Sequence, residues 1–230
     1  MISHKYKCIY IHIPKVAGTS IITVLGDAEL STKKKWPFKA DDYKFNPPAP
    51  HLRAADYIKY GHATRQQYDS YHKFSFVRNP WDRIVSEYKY RRHPRRYSFK
   101  KFIFENFPEP SWTDEYCHVI PQYDFLYGDD GKQLVDYVGK FENLQADFNL
   151  ILAELKISGV TLPHVNRSLS LFRRENSIIE ALRTIRGITS IKQKMNTYEK
   201  YTEYYDAETV DYVADIYKKD IEFFDYSFTE

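Results

Sequence analysis

The sequence predicts a three-layer α/β domain in which helices flank a central, mainly parallel sheet. Short β-branched and aromatic segments alternate along the chain with segments whose apolar residues recur at helical spacing. Polar motifs directly follow the strand candidates, and ligands of such sheets bind beyond the carboxyl ends of the strands. The 230 residues suit one domain, which we expect to span 1–230.

Four segments of four to six residues are predicted to be strands, because β-branched or aromatic residues dominate them. The first stops at Pro14, the second at Gly61, and the third at the Arg-Asn-Pro run 78–80. In chain order the four predicted strands are 8–13, 57–60, 73–77 and 134–138.

Helices are predicted where apolar residues recur every three to four positions, most clearly along 144–155. Thr19 or Ser20 can cap the first helix, and Asp206 can cap the last. Residues 31–56 carry four prolines without a clear period, so we predict an irregular excursion there. The predicted helices are 21–25, 81–92, 144–155, 176–194 and one that begins after Asp206, with a loop over 162–168.

The composition excludes several classes of protein before any motif is considered. With 34 Lys and Arg against 31 Asp and Glu, the net charge of +3 excludes a histone-like chain. An aromatic content of 17% excludes a disordered chain. The segment 89–101 nevertheless holds seven basic residues and no acid, while 199–230 holds ten acids against three bases. The basic segment alone is compatible with binding nucleic acid, with binding an acidic polymer and with simple exposure to solvent. We predict no nucleic-acid partner.

The sequence predicts no integral membrane segment, no secretion signal and no metal motif. Its apolar runs fall well short of the roughly 18 residues of a membrane span, and 1–8 lacks the apolar core and cleavage site of a signal peptide. Cys8 and Cys117 are too few for a disulfide scaffold, so we predict a cytoplasmic location. The eight histidines show no metal-binding spacing, and we expect no metal.

The first polar motif is the turn P-K-V-A-G-T-S over 14–20, between a strand and a helix. N–H groups at the helix start and the hydroxyls of Thr19 and Ser20 can bind an anion, and Lys15 adds a full charge. Gly18 allows a ligand to approach the backbone closely. The motif is not a Walker A loop, because the lysine precedes Gly-Thr-Ser and the first glycine is missing. An ordinary capped turn with a surface lysine is the alternative.

The second motif is F-S-F-V-R-N-P-W-D-R-I-V-S-E-Y over 74–88, a strand followed by a helix. Arg78 leaves the strand end with a guanidinium suited to phosphate. Ser86 lies about two helical turns further on, so the turn at Asn79 and Pro80 must bring it close to Arg78. The alternative is that Arg78 pairs with a carboxylate and Ser86 is a small packing residue.

Together the two motifs resemble the signatures of the carbohydrate sulfotransferase family, which includes heparan sulfate 2-O-, chondroitin and dermatan sulfotransferases. The family reads roughly F-I-H-I-P-K-T-G-G-T-S and F-V-R-N-P-x-D-R-x-V-S-x-Y. This chain has I-Y-I-H-I-P-K-V-A-G-T-S over 9–20 and F-V-R-N-P-W-D-R-I-V-S-E-Y over 76–88. Val16 and Ala17 replace the commoner Thr and Gly, and Trp81 replaces a usual Tyr or Phe. Further segments that resemble family patterns are 138–144, 162–168 and 220–226.

The resemblance implies a P-loop-like α/β fold and the donor 3′-phosphoadenosine 5′-phosphosulfate (PAPS), whose product is 3′-phosphoadenosine 5′-phosphate (PAP). The first motif would hold the 5′-phosphosulfate and the second the 3′-phosphate, and the loop 162–168 lies near the donor in relatives. The implied donor-binding residues are Lys15, Ala17, Gly18, Thr19, Ser20, Arg78, Ser86, Asn166, Arg167 and Ser168.

The implied catalytic residues are Lys15 and His62, since relatives carry a Gly-His at this place and use the histidine as base. A structural histidine is the alternative for His62. Tyr60 stands where 2-O-sulfotransferases have a second histidine, so we do not expect a paired-histidine mechanism. Candidates for contact with the acceptor are His12, where some relatives have Arg, and the pair His118 and Gln122 on a loop expected to be exposed.

We therefore expect in-line transfer of the sulfuryl group from PAPS to a carbohydrate hydroxyl. His62 would remove the hydroxyl proton, and Lys15 with the helix N-terminus would stabilise charge on the leaving phosphate oxygen. No metal is expected, because a sulfuryl group carries less charge than a phosphoryl group and Lys15 supplies a cation. Two other classes stay open: a P-loop nucleotide phosphotransferase or kinase, which would need magnesium, and a non-catalytic binder of acidic glycan or nucleic acid through 89–101.

Overall fold

A four-stranded sheet organises the part of the chain that the computed structural model describes, which is residues 1–26, 51–111, 113–163 and 198–229. In spatial order its strands are β1 (Ile2–Ser3), β2 (Cys8–Ile11), β3 (His72–Val77) and β4 (Tyr137–Lys140). β1 pairs antiparallel with β2, and β2, β3 and β4 run parallel. Cys8 lies opposite His72, and Phe74 lies opposite Tyr137. The predicted mainly parallel sheet is confirmed.

Helices connect and cover these strands. Within the described residues they are α1 (Gly18–Leu25), α2 (Asp56–Lys59), α3 (Arg65–Ser70), α4 (Pro80–Tyr90), α5 (Phe99–Glu105), α6 (Asp114–Cys117), α7 (Tyr123–Leu126), α8 (Leu144–Glu154), α9 (Ala207–Ile216) and α10 (Lys218–Phe224). Short 3-10 turns lie at His93–Arg95, Phe141–Asn143 and Tyr201–Tyr204. Among these helices there is none with the length and apolarity needed to cross a membrane.

The core lies on and beside the central strands. Every residue of β2, and β3 from Lys73 onward, is buried, as is typical of parallel strands covered on both faces. One apolar cluster packs these strands against α1 and α8, and a second joins α4, α5 and α9. The carboxyl ends of β2 and β3 therefore meet at one edge of the sheet, and the two polar motifs follow there.

The predicted strand 57–60 is wrong, because most of this segment forms the helix α2. The N–H of Arg53 donates to the Asp56 carboxylate (3.0 Å), which caps the turn at the helix start. Gly61, at φ 71°, ends the helix in the left-handed conformation that favours glycine. The four residues 57–60 fit a helical turn as well as a strand. The capping contact of Asp56 and the left-handed conformation of Gly61 favour the helix.

Several predicted boundaries also shift. α1 begins at Gly18 after Ala17 and no side chain caps it, so the cap expected of Thr19 or Ser20 is wrong. β4 begins at Tyr137, three residues later than the start predicted at position 134. The residue just before it, Asp136, accepts a hydrogen bond from the N–H of Lys73 through its carboxylate (2.7 Å).

The last predicted helix is capped as expected but is divided in two. Asp206 accepts a hydrogen bond from the N–H of Thr209 (2.9 Å), and Tyr217 separates α9 from α10. The strands predicted at 8–13 and 73–77 and the helices predicted at 81–92 and 144–155 are confirmed within a few residues. The predicted helix over 176–194 and residues 31–50 of the predicted excursion lie outside the described residues, and the rest of the excursion leads into α2.

Candidate active site

The loop between β2 and α1 forms a concave turn of backbone N–H groups. Lys15 (φ 71°) and Ala17 (φ 66°) adopt positive φ on either side of Val16. Alternation of this kind points successive N–H groups at one place and makes an anion-binding concavity. α1 begins directly afterwards at Gly18 and adds the positive end of its dipole. The first motif therefore has a backbone geometry that is compatible with binding a phosphate or sulfate group.

Gly18 is required by its contact with His12. A Cβ on Gly18 would lie 1.8 Å from Nε2 of His12, so any other residue would displace the imidazole. His12 stacks on Tyr10, with ring centres 5.6 Å apart, and lies 4.4 Å from the ring of His51. The space beside Gly18, which was expected to be open to a ligand, is therefore filled by the His12 ring, and this ring lies against the loop.

Lys15 extends from this loop toward α4. Its Nζ lies 3.8 Å from the centre of the Tyr90 ring. Burial lowers the pKa of Lys15 to about 8; Glu87 opposes this effect, and Arg78 and Arg91 add to it. The ammonium is still charged at neutral pH, and a bound anion would stabilise that charge.

Arg78 connects the two motifs. Its Nη1 donates to the carbonyl of Lys15 (3.2 Å), and its guanidinium carbon lies 4.2 Å from the centre of the Phe141 ring. Nε and Nη2 contact the Asp82 carboxylate at 2.8 and 2.7 Å, so the alternative in which Arg78 pairs with a carboxylate is what the structure shows. With 14% of the Arg78 side chain exposed, a phosphate could still reach it, but would share it with Asp82.

Ser86 lies one helical turn beyond Asp82 on the same face of α4, and Lys89 follows nearly one turn later. Burial lowers the pKa of Lys89; Asp82 opposes this effect and Arg78 adds to it, so the Lys89 ammonium lies near both. The sequence singled out Lys89 only as part of the basic segment. Its helical spacing from Ser86 is the signal that would have placed it at this site.

Gln122 holds the backbone of Arg78. The Gln122 side-chain amide accepts from the N–H of Arg78 and donates to the carbonyl of Arg78, both at 2.8 Å. The Asp220 carboxylate accepts from the same amide (3.2 Å) and from the backbone N–H of Gln122 (2.9 Å) and Tyr123 (2.8 Å). Gln122 is fully buried and His118 is 6% exposed, so the expectation that they lie on an exposed loop is wrong. Gln122 positions Arg78, and its contact with an acceptor stays a prediction.

Two further segments with family-like patterns brace the second motif. Glu142 accepts from the N–H of Asn79 (2.8 Å) and from the hydroxyl of Tyr226 (3.0 Å). Asn79 caps α4 by accepting from the N–H of Trp81 (3.1 Å). These contacts fix the turn between β3 and α4, which holds Arg78 at the edge of the sheet.

His118 packs against α4. Its Nδ1 lies 2.7 Å from the Glu87 carboxylate, and its ring stacks on Tyr90 with centres 5.7 Å apart. The buried Arg83 donates to the carbonyl of His118 (3.2 Å) and to the carbonyl two residues later (2.6 Å). Lys15 also contacts Tyr90, so the side chains of His118 and Lys15 both lie against this ring. Sequence reasoning missed Glu87, because its partner is 31 residues away.

His51 completes a histidine cluster that the sequence did not predict. Its Nδ1 lies 3.0 Å from the carbonyl oxygen of His12, and its ring is edge-on to His118 at 5.1 Å. The cluster also includes Asp114: one side-chain nitrogen or oxygen atom from each of the three residues His51, Asp114 and His118 can be chosen so that these three atoms all lie within 4.8 Å of one another. Burial, with His118, lowers the pKa of His51 to about 4, so this imidazole is neutral at pH 7. No motif marks His51, and only the fold brings it to His12 and His118.

The predicted base, His62, lies beside Tyr57. The ring of His62 is edge-on to Tyr57 with centres 6.5 Å apart, and the Tyr57 hydroxyl donates to the carbonyl of Tyr10 in β2 (3.2 Å). The role of His62 as base stays a prediction. Asn166, Arg167 and Ser168 lie outside the described residues.

The structure is thus an α/β fold whose mainly parallel sheet brings the concave turn after β2 and the arginine after β3 to one edge. The family model described as "Sulfotransferase family" matches residues 1–227, and the chain belongs to this family, sulfotransferase family 2. The chain is similar to an uncharacterised protein of Archaeoglobus fulgidus, 31% identical over 95 residues, which are 40% of this chain and 72% of that protein. No solved structure matches the chain. The resemblance found in the sequence is confirmed, and the protein is a sulfotransferase.

Proposed function

We propose that this sulfotransferase transfers the sulfuryl group of PAPS to a hydroxyl of a carbohydrate acceptor. The observation that carries the proposal is the hydrogen bond from Arg78 to the carbonyl of Lys15 (3.2 Å). It joins two cationic motifs at the ends of adjacent parallel strands. PAPS carries two separate anionic groups, the 5′-phosphosulfate and the 3′-phosphate, and each suits one of these motifs.

The first motif would hold the 5′-phosphosulfate. The alternating φ signs over 15–17 and the N-terminus of α1 supply N–H donors and a positive dipole. The partly buried ammonium of Lys15 supplies the full charge. The residues assigned to this group are Lys15, Ala17, Gly18, Thr19 and Ser20.

The second motif would hold the 3′-phosphate. A guanidinium has five N–H donors, so Arg78 can bind a phosphate while it keeps part of its contact with Asp82. Ser86 adds a hydroxyl on the adjacent helix face, and Lys89 adds a second charge there. Asn166, Arg167 and Ser168 are assigned to the same donor from the family resemblance alone.

The reaction would be an in-line displacement. The acceptor oxygen forms a bond to sulfur, the bond from sulfur to the 5′-phosphate oxygen breaks, and a base takes the hydroxyl proton. Lys15 and the N-terminus of α1 stabilise the charge that develops on the leaving oxygen, so we propose that no metal is needed. The sequence nominates His62 as the base and His12, His118 and Gln122 for contact with the acceptor. The cytoplasmic location stays a prediction.

Calorimetry with PAP and 5′-AMP tests the donor site. The wild-type protein should bind PAP more tightly than AMP, because AMP lacks the 3′-phosphate, and Arg78→Gln should remove most of that difference. Lys59→Met, at an exposed lysine over Tyr60, is the matched charge control and should bind like wild type. Equal affinity of the wild-type protein for PAP and AMP would contradict the assignment of the second motif.

Transfer of radiolabelled sulfate from PAPS to a panel of glycans, with and without EDTA, tests the reaction. We expect transfer that EDTA leaves unchanged. Transfer of phosphate from Mg-ATP, abolished by EDTA, would instead identify a phosphotransferase. Salt-sensitive glycan binding without turnover would identify a non-catalytic binder.

A further inference from the structure

The cluster of His51, Asp114 and His118 has the composition and the spacing of a metal site. One possible ligand atom from each residue lies within 4.8 Å of the other two, and Nε2 of His118 lies 3.6 Å from Oδ1 of Asp114. Because bonds from zinc to nitrogen and oxygen are about 2 Å long, the ligands of a tetrahedral site lie about 3.3 Å apart. Two of the three atoms are therefore close to this spacing, and a small inward movement of the His51 ring completes the set.

The Nδ1 atom of each imidazole faces an acceptor, which leaves Nε2 for a metal. Nδ1 of His118 lies 2.7 Å from the carboxylate of Glu87, and Nδ1 of His51 lies 3.0 Å from the carbonyl oxygen of His12. Glu87 is also paired with Arg91, as an ionised carboxylate would be, so neither acceptor has a proton to donate and each Nδ1 carries one. A carboxylate or a backbone carbonyl on the second ring nitrogen is typical of histidines that bind metals.

Asp114 is oriented by the same network. Arg91 donates to Oδ2 of Asp114 and, through Nε, to the Glu87 carboxylate (2.7 Å), so one guanidinium holds both acids. Oδ1 of Asp114 is the oxygen that faces His118, four residues further along and on the same side of α6. His51 and His118 are buried, whereas 49% of the Asp114 side chain is exposed, so an ion can enter from the side of Asp114.

The contact between His118 and Asp114 calls for a positive charge between its two atoms. With the proton on Nδ1, the lone pair of Nε2 faces a carboxylate oxygen at 3.6 Å, and two such acceptors repel each other. A second proton on the imidazole or a metal ion would remove this repulsion. The proton would serve His118 alone, whereas a metal ion would also use the lone pair of His51, whose ring is edge-on to that of His118 at 5.1 Å.

We propose that His51, Asp114 and His118 bind a divalent transition-metal ion of the class of Zn²⁺, with water as the fourth ligand. Two imidazoles and one carboxylate suit Zn²⁺, whereas Mg²⁺ and Ca²⁺ favour oxygen ligands. The ion ties the segment before α2 to the end of α6 and thereby stabilises the fold. It takes no part in sulfuryl transfer, so His62 stays the predicted base. The histidines show no metal-binding spacing in the sequence because His51 is far along the chain from the other two ligands.

Titration of the untagged, metal-free protein with Co²⁺ tests the site. Co²⁺ should give the intense visible absorption of a four-coordinate complex, with one ion per chain. Zn²⁺ should displace the Co²⁺, and Mg²⁺ should not. His51→Gln and His118→Asn should each remove the absorption, and Glu87→Gln should weaken Zn²⁺ binding about 10–100-fold, because it changes the partner of a ligand. His93→Asn is the histidine control and should bind like wild type, since Nδ1 of His93 faces the hydroxyl of Tyr97 (3.1 Å).

Asp114→Asn is the variant that best preserves the fold, because the residue is half exposed and asparagine can still accept from Arg91. It should weaken Zn²⁺ binding at least tenfold. Asp69→Asn is its matched control, since the Asp69 side chain is 52% exposed and is likewise paired with an arginine. Zn²⁺ should raise the thermal midpoint of wild type and of Asp69→Asn, and should leave that of Asp114→Asn nearly unchanged.

Three results would overturn the proposal. They are the absence of Co²⁺ absorption in the wild-type protein, equal Zn²⁺ affinity in wild type and Asp114→Asn, and a loss of affinity that His93→Asn shares. In the first case, nitrogen NMR showing protons on both ring nitrogens of His118 at neutral pH would identify the second proton as the charge between His118 and Asp114. These measurements use neither donor nor acceptor, so their failure is distinct from a failure of the proposed function.

Discussion

Replacing Lys15 with methionine is expected to stabilise the protein in the absence of added donor and to weaken binding of the proposed donor at least tenfold. Burial lowers the pKa of Lys15 from 10.5 to about 8, which corresponds to about 3 kcal/mol against the charged form in the folded state. Methionine keeps the length of the side chain and removes the charge, but it loses the contact with Tyr90, worth about 0.5–2 kcal/mol. The expected net gain in the free energy of unfolding is therefore about 1–3 kcal/mol at pH 7.

The gain depends on pH in a direction that linkage fixes. Because the pKa of Lys15 is lower in the folded than in the unfolded protein, the penalty is fully present below pH 8. It disappears as the pH rises from 8 toward 10.5, where both states lose the proton. The stability difference between Lys15→Met and wild type should therefore shrink over this range.

Urea denaturation of wild type, Lys15→Met and Lys59→Met at pH 7 and pH 10 measures these differences. With a slope of about 1–3 kcal/mol per molar urea, the midpoint of Lys15→Met should rise by about 1 M at pH 7, and that of the exposed control should stay within experimental error. Calorimetry should show at least a tenfold loss of PAP affinity in Lys15→Met alone. A variant less stable than wild type at both pH values would refute the reasoning, because it would mean that Glu87 and Tyr90 already stabilise the charge.

Three further predictions concern the loop and the histidines. Gly18→Ala should lower the thermal midpoint and the PAP affinity, because its Cβ would lie 1.8 Å from Nε2 of His12 and displace the ring; unchanged calorimetry would contradict this. Ala17→Gly should raise the free energy of unfolding by about 0.5–1 kcal/mol in urea titrations, because φ 66° costs a non-glycine residue more than glycine loses in entropy. His51 has a folded-state pKa of about 4, so between pH 6.5 and 4 the unfolded chain binds more protons than the folded protein and wild type loses stability as the pH falls. His51→Gln should reduce this loss of stability. Equal losses in both proteins would argue against a neutral His51.

The elements that the sequence predicted are those whose signal is local. The strand β3 is a short segment rich in aromatic and β-branched residues that ends at a proline turn, and α8 has an apolar stripe at helical spacing. Asp206 sits three residues before the N–H that it caps. The segment 57–60 had no such signal of its own, because its hydrogen bonds depend on Asp56 and Gly61 outside it.

The same distinction divides the candidate site. Lys15 and Arg78 each belong to a continuous motif, so their types and spacing identified them. The contacts that orient the site join distant positions, such as Gln122 to Arg78 across 44 residues and His118 to Glu87 across 31. Side chains that act through such pairs carry no pattern along the chain, and neither does His51.

The structure also shows how a net charge of +3 is compatible with the proposed binding of an anionic donor. Arg78 is paired with Asp82, and Arg91 is paired with both Glu87 and Asp114. These acids partly neutralise the positive charge of the two arginines, so the proposed donor would have to compete with them for the same cations. That competition favours a ligand with two or more charges, since only such a ligand offers several charge-assisted hydrogen bonds in exchange for each one displaced. Under the proposed function, this local balance of charge would make the site selective for a polyanionic donor, which the composition alone could not reveal.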